Sequence, residues 1–84
     1  MNNYSTKVVH LNEAADQDLL GVQLGRFCIS FNIPVAKVAQ DLDVSKTVVY
    51  KWFTGRHDVG KHLREKVQAY YRALPDLAAG GYGT

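Results

Sequence analysis

The sequence predicts an all-α fold, a compact bundle of four to five short helices containing one hydrophobic core. Apolar side chains recur at helical spacing in several segments, and prolines, glycines and capping residues lie between those segments. The chain has 84 residues, of which 46% are hydrophobic and 21% charged. One soluble core fits these values, because so short a chain cannot divide its apolar residues between two cores.

The first helix is predicted from about Asn12 or Asp16 to Asn32. It should end there because Pro34 disfavours the helical conformation at the residue before it. Residues 1–11 form an N-terminal arm that fits either a flexible segment or a short strand, and the apolar Val8 and Val9 do not decide between them. The helix has apolar residues at positions 20, 24, 27, 28 and 31, namely Leu20, Leu24, Phe27, Cys28 and Phe31.

Two short helices are predicted between residues 34 and 55. Pro34 fits the first turn of the earlier helix, where its missing N–H would have had no partner. Asp43 tolerates a left-handed or turn conformation, and Ser45 is a favoured N-cap for the later helix, which should extend over 46 to about 54. Gly55 is placed to end that helix.

A fourth helix is predicted from about Val59 to Ala73, and Pro75 should end it. Residues 75–84, with the sequence Gly80-Gly81-Tyr82-Gly83 near their end, are then expected to form a mobile tail. The apolar face of this helix is predicted to comprise Leu63, Val67, Tyr70, Tyr71 and Leu74.

The span 34–55 therefore has the pattern of a helix-turn-helix, in which a polar and basic second helix can enter the DNA major groove. Ala39 lies where the two helices would approach most closely, so a larger side chain there should push them apart. The residues expected to hold both helices to the core are Val38, Ala39, Leu42, Val44, Val49, Trp52 and Phe53.

The segment IPVAKVAQDLDVSKTVVYKWFTG resembles the lambda-repressor-like helix-turn-helix family of the phage repressor, Cro and XRE type. Ala39 fits the small residue of the first helix, Val44-Ser45 the turn exit, and Val49 the buried aliphatic residue of the second helix. Trp52-Phe53 with Gly55 fits the end of that helix. The resemblance covers about residues 18–74, and it supports a DNA-binding domain over residues 12–74.

Two positions depart from the family pattern. Asp43 replaces the glycine that is usual in the turn, and Asp is sterically tolerable there. Val35 stands where many members place a glutamine that reaches the DNA backbone, so Lys37 is the substitute we consider for that contact.

If the third helix lies in the major groove, its first turn and outward face supply the base contacts. The candidates are Lys46, Thr47, Val48, Tyr50 and Lys51. A second set should contact phosphates and set position without distinguishing sequences. Its members are Ser45, Lys37, Arg56, His57 and Lys61.

The charge distribution fits such an interface better than the total charge does. The formal net charge is only +2, which by itself is too weak to argue for a polyanionic partner. Eight of the ten basic side chains, but only four of the eight acidic ones, lie between Ile33 and Leu74. Positive charge is therefore concentrated around the predicted helix-turn-helix.

Several other functions are not expected. The single cysteine, Cys28, falls on an apolar helix face and should be a buried, inert thiol, and Trp52 should pack in the core. The histidines His10, His57 and His62 do not share a helix face, so no metal site is expected. We expect no cofactor or small-molecule ligand. No serine, cysteine or lysine has an evident base beside it, so an enzyme is not expected. Neither a signal peptide nor a membrane span is evident, which predicts a cytoplasmic protein.

The favoured function is a sequence-specific regulator of transcription, a Cro-like repressor of phage or prophage origin on the family resemblance. One recognition helix covers only a few base pairs, so a homodimer on a palindromic operator is expected. The dimer contact is left open between the end of the fourth helix, around Tyr70, Tyr71 and Leu77, and a strand formed by Val8 and Val9. The alternative function is an adaptor in a phage DNA-packaging or host-transcription-inhibiting complex.

Overall fold

Five helices form the fold of residues 3–79, the part of the chain that the computed structural model describes. They are α1 (Thr6–Ala14), α2 (Leu20–Ser30), α3 (Val35–Leu42), α4 (Lys46–Phe53) and α5 (Lys61–Ala79). These residues contain no strand, so the all-α prediction is confirmed.

Helix α1 replaces the predicted N-terminal arm. Ser5 caps it, because its hydroxyl accepts the backbone N–H of Val8 at 3.2 Å. Just before the cap, the buried Tyr4 ring joins the core and its hydroxyl donates to the carbonyl of Ile33. The expectation of a flexible arm or strand is therefore wrong from Thr6 onward, and residues 1–2 lie outside the described part.

The predicted first helix is in fact interrupted between α1 and α2. Ala15 is extended, with φ −77° and ψ 166°, and the Gln17 side-chain amide donates to the carbonyls of Asn12 and Ala15 at 3.0 and 2.9 Å. The Asp16 carboxylate accepts the N–H of Asp18 at 2.9 Å, which forms a tight turn. These side-chain bonds satisfy backbone groups that a continuous helix would have paired itself.

Helices α3 and α4 agree with the predicted bounds to within about one residue. Asp43 adopts the left-handed conformation, with φ 56°. Ser45 caps α4 by accepting the N–H of Val48 at 3.2 Å. Beyond α4, Gly55 has φ 76°, as expected of a residue that ends a helix.

The core contains the residues predicted to hold α3 and α4. Val38, Val49 and Phe53 have no exposed surface, and Trp52 is buried as expected. Val44 is half-buried against the same cluster. Cys28 is also buried, and burial raises the pKa of its thiol to about 12, so the neutral, unreactive form predominates at physiological pH.

Helix α5 continues past the residue that was predicted to end it. Pro75 lies inside the helix with an exposed ring, directly after Leu74, which is fully buried. A proline inside a helix removes the hydrogen bond to the carbonyl four residues earlier, and its ring crowds that carbonyl. The neighbouring burial of Leu74 favours continued helix. The predicted tail is therefore wrong for residues 75–79, and its Gly80-Gly81-Tyr82-Gly83 segment lies outside the described residues.

Helices α2 and α4 approach each other closely at two glycines. A Cβ atom added to Gly21 would lie 2.6 Å from the Cβ of Trp52 and 3.0 Å from its backbone. One added to Gly25 would lie 2.7 Å from the Phe53 ring. The two glycines, one helical turn apart, therefore allow the large aromatic residues of α4 to lie against the backbone of α2.

The substitution Gly21→Ala should lower the free energy of unfolding by about 1–3 kcal/mol. The added methyl meets backbone as well as side-chain atoms of Trp52, so a rotamer change cannot relieve the contact. Urea denaturation followed by circular dichroism measures the effect. Gly60→Ala is the matched control, because its added Cβ meets only the exposed ring of His62, and equal stability losses in both variants would contradict the close crossing.

Candidate nucleic-acid interface

Helix α4 presents one polar and basic face to solvent. We call Lys46, Thr47, Tyr50 and Lys51 the α4 outer face, and all four residues are exposed. Val49, Trp52 and Phe53 on the opposite side are buried. The structure thus brings four of the five predicted base-contact residues together on one surface.

The fifth predicted residue, Val48, is placed differently. It is half-buried and packs against the core cluster, while its N–H is taken by the cap of Ser45. Val48 therefore lies at the border of the outer face, where only part of its side chain is available to a partner.

The basic side chains around α4 are not neutralised by nearby acids. Within residues 3–79, Lys46, Lys51, Arg56 and Lys61 form no ion pair. Two acids of the same region are paired elsewhere: Asp41 with Lys37 at 3.0 Å and Asp58 with Arg64 at 2.9 Å. The positive charge near the outer face consequently remains available to an anionic partner.

Lys37 and Ser45 both have partners within the chain. The Lys37–Asp41 pair joins positions i and i+4 of α3, with Lys37 43% exposed, and such exposed pairs are weak enough to exchange. Ser45 uses its oxygen as an acceptor for the α4 cap, which leaves the hydroxyl hydrogen able to donate. Neither contact prevents binding to a phosphate.

The loop after α4 places further cations beside the outer face. The backbone N–H groups of Arg56 and His57 both donate to the carbonyl of Lys51, at 3.0 and 3.3 Å. This ties the loop to the end of α4 while both side chains stay exposed. Lys61, the first residue of α5, is exposed as well.

A groove of about 360 Å³ separates the outer face from α1. Its surface is mainly apolar, with cationic side chains among the lining residues. Its α1 wall consists of Lys7, Val8 and Leu11, and the other lining residues are Thr47, Tyr50, Lys51, Thr54 and Arg56. Helix α1 therefore forms one side of the candidate interface.

The buried side chain of Asn12 fixes α1 in this place. Its amide nitrogen donates to the carbonyl of Phe53 at 2.7 Å and to that of Val22 at 3.1 Å, and its oxygen accepts from the Arg26 side chain at 3.3 Å. All of its polar atoms are thus satisfied, and one residue joins α1 to both α2 and α4.

Sequence reasoning missed Lys7, Val8, Leu11 and Thr54 as parts of this surface. The three residues of α1 fall in the segment predicted as an arm or a strand, because a polar start is followed by only a short apolar group, Val8, Val9 and Leu11. The available indication was Ser5, three residues before Val8, which matches an N-cap.

The described residues show neither a metal site nor a membrane span. No group of three His, Cys, Asp or Glu side chains there has the geometry to hold a metal ion. No helix in the same region has both the length and the apolar character needed to cross a bilayer.

Comparisons with family models, curated proteins and solved structures gave no match to this chain. The resemblance to the lambda-repressor-like family therefore stays a prediction from the residues of α3 and α4.

Replacing Asn12 with alanine should lower the free energy of unfolding by about 1–3 kcal/mol, because two buried carbonyls lose their donor. The substitution should also speed amide hydrogen exchange in α1, since the bond to Phe53 is the link between that helix and α4. Gln40→Ala serves as the control, because it shortens an exposed side chain of α3. Unchanged stability and exchange in Asn12→Ala would show that α1 is held by other contacts.

Proposed function

We propose that this protein binds double-stranded DNA in a sequence-specific manner, with α3 and α4 acting as a helix-turn-helix. The observation that carries the proposal is the two-sided character of α4. Its buried side, including Val49 and Phe53, is packed against the core, while its outer face exposes two lysines without ion pairs in the described residues. A short, firmly held helix with such a face suits insertion into the major groove.

The chemistry of the outer face fits base edges. Lys46 and Lys51 can donate to O6 and N7 of guanine, and the methyl group of Thr47 can contact that of thymine. Tyr50, with 38% of its surface exposed, can reach a phosphate or pack on a sugar. These contacts would discriminate between sequences.

The surrounding cations would hold the protein on the backbone. Arg56, His57 and Lys61 lie beyond the C-terminal end of α4, whereas Ser45 lies at its N-terminal end and Lys37 in α3. Phosphate contacts from both ends would fix the angle of α4 in the groove without sequence preference.

We propose further that the protein acts in the cytoplasm as a homodimeric, Cro-like repressor on a palindromic operator. A partly exposed aromatic cluster supports a two-fold contact: Phe31 is 56% exposed and stacks on the half-buried Phe27 at 4.5 Å, and Phe27 meets the edge of the half-buried Tyr71 at 6.2 Å. None of the three lines the groove at the outer face. The alternative strand contact through Val8 and Val9 is wrong, because both residues are helical.

Selection from a random duplex library near physiological salt, with sequencing of the bound fraction, tests the proposal. An enriched inverted repeat with half-site centres about 10 bp apart, or a multiple of that, is expected for a dimer. Absence of enrichment, with weak and strongly salt-dependent binding to all duplexes, would instead favour the adaptor function.

Substitutions should separate base contacts from phosphate contacts. Lys46→Ala and Thr47→Ala should change the preferred base at particular operator positions, each at a cost of about 1–3 kcal/mol. Arg56→Ala should weaken binding to every duplex alike and reduce the salt slope by about one. Binding titrations on the selected operator and its single-base variants measure both effects.

The control for these titrations is Arg72→Ala, which removes an exposed charge from α5, outside the residues that line the groove. An unaltered base preference in both α4 variants would refute the assignment of the outer face.

A further inference from the structure

The groove between α1 and α4 has exposed apolar side chains on both of its sides. The described residues include three exposed large hydrophobic side chains, Leu11, Phe31 and Tyr50. Two of them, Leu11 and Tyr50, line this groove, each with 38% of its surface accessible. Val8 is a third apolar lining residue, and we call Val8, Leu11 and Tyr50 the apolar floor of the groove. Clustered apolar exposure rimmed by polar groups is typical of an interaction surface.

We propose that this groove binds an acidic, amphipathic helix of a partner protein. A helix of this kind inserts apolar side chains spaced by three and four residues into a groove and keeps its charged side chains at the rim. The volume of about 360 Å³ fits a few such anchoring side chains, not the whole helix.

The charges at the rim of the groove indicate that the partner carries negative charge. Lys7 stands on the α1 side, and Lys51 and Arg56 stand on the α4 side. No acidic residue lines the groove, and these three cations form no ion pair within residues 3–79. Glutamate and aspartate flanking the apolar anchors would pair with cations on both sides.

The apolar floor distinguishes this occupant from the DNA backbone. Phosphates bind through charged and hydrogen-bonding donors, which the rim supplies but Val8 and Leu11 do not. An amphipathic helix uses both parts of the groove, the floor for its anchors and the rim for its carboxylates.

The location gives this binding a regulatory consequence, which rests on the proposed function. Thr47, Tyr50 and Lys51 belong both to the groove and to the α4 outer face. A helix seated in the groove would cover them, so partner and duplex would compete for the protein. The acidic helix would thereby release the protein from its operator.

The experiment is a selection from a displayed library of helical peptides of about 16 residues, a length at which helices begin to form. Apolar anchors occupy one face, and the flanking positions vary among Glu, Lys and Gln. The full-length protein is the target, without DNA, and the enriched peptides are then titrated by fluorescence anisotropy and by amide chemical shifts. Enrichment of Glu, with shifts confined to α1, α4 and the adjoining loop, is expected.

Two variants with matched controls locate the binding. Leu11→Gln and Lys7→Glu should each weaken the peptide about tenfold, whereas Ala14→Gln and Arg72→Glu should leave it unchanged. All four residues are exposed, so circular dichroism should show the same fold in each. Absence of enrichment, enrichment of Lys, or binding that survives Leu11→Gln would overturn the proposal.

Competition with the selected operator forms a separate arm. Displacement of the duplex by the peptide supports the regulatory consequence, and simultaneous binding overturns it. If no duplex binds, the proposed function fails, but the peptide titration still tests whether the groove binds an acidic helix. If Leu11→Gln weakens the duplex and no peptide is enriched, the groove is a DNA surface and the partner proposal is overturned.

Discussion

The close crossing of α2 and α4 determines which side of α4 faces outward. Gly21 and Gly25 leave the backbone of α2 open to Trp52 and Phe53. Any other residue would place its Cβ only 2.6 Å from the Cβ of Trp52 or 2.7 Å from the Phe53 ring. With these two aromatic residues held, the opposite side of α4 must face outward. The outer face is thus a consequence of packing within the core.

Asn12 extends this arrangement to α1. A buried amide that leaves a donor or acceptor unpaired costs about 1–3 kcal/mol, so its bonds to Val22 and Phe53 favour one position of α1 over others. In that position α1 stands beside the outer face with a groove between them. The same side chain that satisfies the interior therefore shapes the surface.

The residues of α3 and α4 were predictable because their signals are local. Asp43, Ser45 and Gly55 each mark a helix boundary through their own backbone or side-chain preference. Helix α1 was not predictable in this way, since its β-branched residues favour strands and Asn12 joins it to carbonyls that lie 10 and 41 residues away. Pro75 failed as a helix end for a similar reason: its local preference against helix stands beside the tertiary burial of Leu74, which no local pattern shows.

The groove follows from that unpredicted helix, and it changes what the outer face can do. Alone, the outer face of α4 would offer a partner only its own side chains, two lysines, a threonine and a tyrosine. With α1 alongside, Tyr50 forms part of the apolar floor of a groove. Lys51 lies on one side of that groove, and Lys7 lies on the other. Polar contacts alone suit a duplex, whereas the apolar floor adds an anchor that a duplex does not need. Under the two proposals, one surface would serve two mutually exclusive partners, and the side chains that they share would be the means by which one regulates the other.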